Sequence, residues 1–207
     1  LLAIAAVASA LVLSGCGEKQ ADTSKIKVGV MAGAEAQVAE VAAKVAKEKY
    51  GLDVELVTFT DYVTPNAALD DGSIDINAFQ HKPYLDQQVT DRGYKLTIAG
   101  NTFVYPIAGY SKQVKSVDEI QDGARIAVPN DPTNLGRSLL LLEQQGLLKL
   151  RDGVGLLATV RDIAENPKNI TIVELDAAQL PRSLDDVALS IINLSLIHIS
   201  EPTRPDY

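Results

Sequence analysis

The chain has 207 residues, 46% of them hydrophobic and 22% charged, with 27 acidic side chains against 19 basic ones for a formal net charge of −8. This is ordinary globular composition, with room for one substantial core or for two lobes of ~100 residues each. The acidic balance without a dense Lys/Arg stripe excludes nucleic acid as a partner, the single cysteine excludes an intrachain disulfide, and two histidines are too few for a dedicated transition-metal receptor.

In chain order, Leu1 to Leu13 is almost wholly Leu, Ala, Val and Ile. That is the length of a signal-peptide core and well short of the ~20 residues that span a bilayer. The run closes on Leu13-Ser14-Gly15-Cys16, which reads as a lipoprotein processing site: Gly15 is small enough for a peptidase that cuts before a diacylglycerol-modified thiol. Residues 1–15 are therefore expected to be a signal peptide, Cys16 the lipidated first residue, and 16–25 a polar linker. A free Cys in a buried helix is the alternative, and the abrupt polarity of Gly17, Glu18, Lys19 and Gln20 argues against it. With neither an initiator Met nor a basic leader, the extreme N-terminus is expected to be missing. No later segment reads as membrane-embedded.

From residue 26 the pattern alternates strand and helix. Ile26, Val28 and Val30 show period two, and Val38, Val41, Ala42 and Val45 show helical spacing that stops at Gly51. Val54, Leu56 and Thr58 repeat the strand pattern. Thr64-Pro65 reads as an N-cap with proline at the first helical position, and Gly72 ends that helix before Ile74-Asp75-Ile76. Pro83 to Gly93 reads as a further short helix, Lys95 to Ala99 as a strand, and Phe103 to Tyr110 as an edge or crossover strand because it contains Pro106. Ser116 with Glu119 matches a capping box, after which Arg125–Val128, Leu135–Gln145, Ile170–Leu175 and Val187–Ile192 form a second βα series. The expectation is an α/β protein of two lobes, 26–108 and 109–193, with the hinge at about residues 108–115.

Open α/β sheets bind ligands beyond the carboxyl ends of their strands. Here the first strand leads into Met31-Ala32-Gly33, the second into Phe59-Thr60-Asp61-Tyr62, and the third into Asn77-Ala78-Phe79-Gln80-His81 with Tyr84 one turn on. The second lobe supplies Pro129-Asn130-Asp131-Pro132-Thr133-Asn134, Arg137 in the following helix, and Asn193. A cation in a helix's first turn opposes the macrodipole by about 0.3–1 kcal/mol, which a carboxylate ligand would reverse; the competing reading is a solvated Arg137 paired with Asp131 or Glu143. His81 could be a general base, a metal ligand or a neutral hydrogen-bonding group. Catalysis is weakly supported, since no Gly-x-Ser-x-Gly elbow or diagnostic carboxylate pair is present. Phe59, Tyr62, Phe79 and Tyr84 are either core or pocket, and their adjacency to Asp61, Asn77, Gln80 and His81 favours a cleft with a few convergent polar groups.

These residues carry a resemblance. The processing site, Lys27-Val28-Gly29-Val30, Phe59-Thr60-Asp61-Tyr62, Asn77 to Leu85, Asn101-Thr102-Phe103-Val104-Tyr105-Pro106 and Asn130 to Arg137 together resemble the methionine-binding lipoproteins of ABC importers, the NlpA/MetQ family, over Leu1 to Asn193. The resemblance implies a two-lobed periplasmic-binding-protein-like fold (type II) without a cofactor. Its lobes close on free methionine and dock on a membrane permease with its ATPase subunits. It implies that Arg137, helped by Asn134, takes the α-carboxylate, that Phe59, Tyr62, Phe79 and Tyr84 surround the side chain, and that His81, Asn101 and Asn193 complete the polar contacts. Some relatives take other amino acids or a methionine dipeptide. The expected location is the cell envelope, lipid-anchored to a bacterial membrane and facing the periplasm or exterior; Gly17 after the cysteine is compatible with outer-membrane sorting.

The resemblance stops at Leu194. Residues 194–207 are expected to be a non-native tail resembling a translated sequencing adaptor, with the true C-terminus lost and His198 without meaning; the alternative is a short native strand and tail. Three function classes remain in view: a solute receptor, a lipid-anchored hydrolase using His81, and a structural lipoprotein without a pocket. The convergence of Arg137 with the aromatic strand ends favours the receptor.

Overall fold

The computed structural model describes residues 24–103 and 105–197. Cys16 with its processing signal, and His198, lie outside the described residues.

The first lobe is built on β1 (Lys25–Met31), α1 (Ala34–Tyr50), β2 (Asp53–Phe59), α2 (Thr64–Asp70), β3 (Ile76–Asn77) and α3 (Lys82–Arg92). β1 is central and parallel to both neighbours in the order β2-β1-β3, as right-handed βαβ units require. Glycines end both long helices here: Gly51 and Gly93 take the left-handed conformation at φ 68° and 72°, where a side chain would be strained. Entry to α2 differs from expectation. Thr64 is already helical, and Asp61 does the capping, its Oδ1 accepting from the N–H groups of Val63 and Thr64 at 2.8 Å each. The helically spaced Val38, Val41 and Val45 are 47%, 65% and 38% exposed, so that face of α1 is open.

Residues 94–103, and 105 and 106, have no regular structure and precede β4 (Ile107–Tyr110). The strand expected at Lys95–Ala99 does not form, because no strand of the first sheet lies alongside to accept its backbone groups; the Lys95 N–H donates to the Asp70 carboxylate instead. The strand expected from Phe103 is shortened to Ile107–Tyr110, which pairs antiparallel with the last strand of the second sheet. Residues 107 and 108 thus belong with the second lobe, and the crossing lies before them rather than at 108–115.

The second lobe comprises β5 (Arg125–Pro129), α4 (Pro132–Gln144), β6 (Lys149–Leu150), β7 (Ile163–Glu165), β8 (Thr171–Leu175), a 3-10 segment at Ala177–Asp185, β9 (Leu189–Asn193) and α5 (Leu194–Ile197). Its main sheet runs β4-β9-β5-β8, with β5 parallel to β8 and β9. The capping box expected at Ser116 does not form: only a 3-10 turn, Val117–Glu119, follows, and the Glu119 carboxylate accepts from the Lys115 N–H.

Two cores flank the second sheet. On one side Ile126, Val128 and Ile191 meet Leu139 and Leu142 of α4. On the other, Ala127 and Ile192 meet Leu180 and Leu184, together with Met31 from the end of β1 and Leu196 of α5. Met31 and Ile192 are both fully buried, so the second core joins the lobes at their strand ends. Among the described residues no helix is long and apolar enough to cross a membrane.

Candidate functional site

The loops after β2 and β3 are locked before any ligand is considered. Asn66, wholly buried in α2, exchanges amide hydrogen bonds with Gln80 at 2.8 and 2.7 Å and accepts from Asn77 Nδ2 at 2.9 Å. Asn77 and Gln80 therefore hold the loop, and the residues they aim are Phe79 and His81. Tyr62, Phe79 and Tyr84 form a triangle with ring centroids 5.8, 6.0 and 6.1 Å apart, and His81 lies 6.3 Å from Tyr84. These are edge and tilted contacts of favourable geometry. The Tyr84 hydroxyl donates to the Tyr62 carbonyl at 2.8 Å, tying the two loops together.

The second lobe contributes a polar wall. Asp131 caps α4 by accepting from the Asn134 N–H at 2.9 Å and from its Nδ2 at 3.1 and 3.0 Å. That fixes the Asn134 amide with Oδ1 outward, where it accepts from Arg137 Nη1 at 2.9 Å and from Asn193 Nδ2 at 3.1 Å. Arg137 Nη2 also donates to the Tyr105 carbonyl at 3.4 Å. The guanidinium is thus held by neutral acceptors. Neither alternative partner takes it, for Asp131 is engaged with Asn134 and the Glu143 carboxylate accepts from the Leu150 N–H.

Between the two walls lies a cavity of about 960 Å³. Three residues lining it carry a buried polar atom with no hydrogen-bond partner among the described residues: His81 at Nε2, Tyr105 at its hydroxyl and Asn193 at Oδ1. A donor-or-acceptor nitrogen and an amide oxygen left open in this way are the signature of groups awaiting a ligand. Burial, reinforced by the Arg137 charge, pushes the His81 imidazole down to about 4, so it is neutral at physiological pH. Among the described residues no group of three or more His, Cys, Asp or Glu could hold a metal ion. The cavity exceeds what one amino acid requires because it continues into an apolar trough lined by Val28, Ala42, Leu52, Leu96 and Ile98.

Of the residues singled out in the sequence, Tyr62, Phe79, His81, Tyr84, Asn134, Arg137 and Asn193 converge on this cavity. Asn101 reaches it only at the exposed rim, on the irregular 94–103 segment. Phe59 does not line it. Its ring packs over Gly29, where an added Cβ would lie 2.9 Å from Phe59 Cε2, and against the core shared by the lobes. Sequence reasoning missed Tyr105, whose carbonyl orients Arg137, and Glu35 in the first turn of α1. Glu35 is 4% exposed, lines the cavity and accepts from the Met31 N–H at 3.1 Å. Burial pushes its carboxyl up to about 7 against the opposing pull of the Met31 N–H and the Ser195 hydroxyl. Its signal was its position, two residues past Gly33 at the carboxyl end of the first strand.

The profile of the NlpA lipoprotein family matches residues 26–202. The chain is similar to the probable D-methionine-binding lipoprotein MetQ of Vibrio cholerae serotype O1, 86% identical over 193 residues covering 93% of this chain and 72% of that protein. Its fold is similar to the crystal structure of immunogenic lipoprotein A from Vibrio vulnificus, with TM-score 0.83 and 86% identity over 86% of this chain and 77% of that one. It is also similar to a nutrient binding protein from Burkholderia cenocepacia bound to methionine, with TM-score 0.80 and 55% identity over 84% and 73% of the two chains.

Proposed function

The chain belongs to the NlpA lipoprotein family, and we propose that it is the solute-binding lipoprotein of an ABC transporter, capturing free methionine between its lobes. The observation that carries this is the pairing of a half-buried guanidinium that forms no ion pair with an aromatic triangle on one cavity that also holds three open polar atoms.

Arg137 takes the α-carboxylate, positioned by Asn134, with charge-assisted hydrogen bonds in a site partly shielded from water. Tyr62, Phe79 and Tyr84 enclose the side chain, where contacts between sulfur and the rings contribute about 0.3–1.5 kcal/mol. Asn193 Oδ1, already turned by its donation to Asn134, accepts from the ligand's amino group, and neutral His81 uses Nε2 for a further hydrogen bond. Asn101 covers the ligand when the rim closes. The trough beyond the aromatic triangle is apolar, so the extra volume gives no peptide-bond partner and does not favour a dipeptide.

Burial favours binding over hydrolysis as the role of His81, since an imidazole pushed down to about 4 is a poor general base at neutral pH. The protein acts by binding, with a lipid on Cys16 holding it at a bacterial membrane, facing the periplasm or exterior, within reach of a permease and its ATPase subunits. Calorimetry tests the site. Arg137→Ala should weaken methionine binding by about a hundredfold or more, because a buried carboxylate loses its bidentate partner. Near-normal affinity in that variant would remove Arg137 from the site.

A further inference from the structure

Accepting the amino-acid reading above, half of the ligand is still unbalanced. The carboxylate has Arg137, but the ammonium must also leave water, and a buried cation demands an anion or a full set of acceptors. Asn193 Oδ1 is one neutral acceptor. Glu35 is the one carboxylate among the described residues that line the cavity.

We propose that Glu35 is the counter-charge for the ligand's α-ammonium, which makes the cleft select α-amino acids over acids of the same skeleton that lack the amino group. Three features of the geometry support this. Glu35 is buried yet forms no ion pair among the described residues, so its charge is uncommitted. Glu35 and Arg137 line the same cavity, and no ion pair joins them or takes either one among the described residues, so the cavity offers one group of each sign to a zwitterion. Finally, the Met31 N–H and the start of α1 already favour the ionised carboxylate, so the group is prepared for an incoming cation.

This arrangement has a proton consequence. The charged and titratable groups that line the cavity with Glu35 are Tyr62, Tyr84 and Tyr105, all raised above the ordinary phenol value, together with Lys82, Arg137 and His81, the last lowered to about 4. Burial pushes Glu35 itself up to about 7. An ammonium docking on it expels its proton, so methionine binds more tightly as pH rises from 6 to 8.

The test is calorimetry on the full chain with methionine and with 4-(methylsulfanyl)butanoate, which keeps the thioether and carboxylate but lacks the amino group. The wild type should prefer methionine strongly. In Glu35→Gln, methionine affinity should fall about ten- to hundredfold while the deaminated acid is held as before, and Glu35→Asp should recover part of the loss. Equal loss for both ligands, or no loss for methionine, overturns the role of Glu35. Should Glu35→Gln fail to fold, the wild type alone decides: affinity for the deaminated acid equal to that for methionine overturns the proposal. Wild-type protein that binds neither ligand would defeat the amino-acid reading itself, a separate result.

Discussion

Glu35 and His81 show how a binding site sets itself against the stability of its own scaffold. Burial raises Glu35 from 4.5 to about 7 and lowers His81 from 6.5 to about 4. The sign follows from which state holds the proton. The folded protein keeps the Glu35 proton longer than the unfolded chain does, so its contribution is complete below about 4.5 and is lost as pH rises through about 7. His81 behaves oppositely: its contribution is present above 6.5 and is lost as pH falls through about 4. Glu35→Gln removes the first dependence, and Gln can still accept from the Met31 N–H. In the ligand-free protein this variant should melt several degrees above wild type at pH 8, on the order of 3 kcal/mol, and together with wild type near pH 4. Thermal unfolding across that range checks it, and a difference that does not vary with pH would count against the buried carboxylate.

At the level of elements, α4 is the component on which the site depends. It carries Asn134 and Arg137, is capped by Asp131, and packs so closely on the turn Gly155–Leu157 that a Cβ at Gly136 would lie 1.9 Å from the Leu156 carbonyl oxygen. Nothing at the far end of a flexible side chain can yield there, because the neighbour is backbone. Gly136→Ala should therefore cost about 3 kcal/mol or more and, by shifting α4, weaken methionine binding as well. Urea denaturation with parallel calorimetry reads both, and a variant with wild-type midpoint would mean that α4 is free to move. Much of this element level was legible in advance. Period-two and helical patterns located β1, α1, β2, α3, β5, α4, β8 and β9, since such patterns and glycine or proline punctuation are local properties. The failures were also local rules, applied where the partner is remote. Lys95–Ala99 has strand-like residues but no neighbouring strand, and Ser116 with Glu119 has the box spacing but only a 3-10 turn to cap.

On the scale of the whole molecule, the lobes do not simply face each other across a gap. Met31 of the first sheet is buried with Ile192 and Leu180 of the second, so closure must pivot about that shared core while the outer cleft narrows. The expected result in amide hydrogen exchange with methionine is slower exchange at residues 77–84 and along the irregular 94–103 segment, with β9 unchanged. At ~100 times the dissociation constant the ligand should also stabilise the fold by about 2.7 kcal/mol. Protection spread evenly over both sheets would indicate global tightening without a pivot.

The sequence by itself determined the alternation of strand and helix, the separation into two α/β lobes, and which side chains stand at strand ends: Tyr62, Phe79, His81, Tyr84, Asn134, Arg137 and Asn193. Each follows from neighbours within a few residues, or from motifs whose spacing survives in the linear chain. Tertiary structure alone decided that Phe59 turns away to cover Gly29, that Asn101 stays on an exposed rim, that residues 107 and 108 join the second sheet, and that Glu35 is buried on the same cavity as Arg137. Burial and charge opposition are properties of residues far apart in the chain, and only packing brings them together.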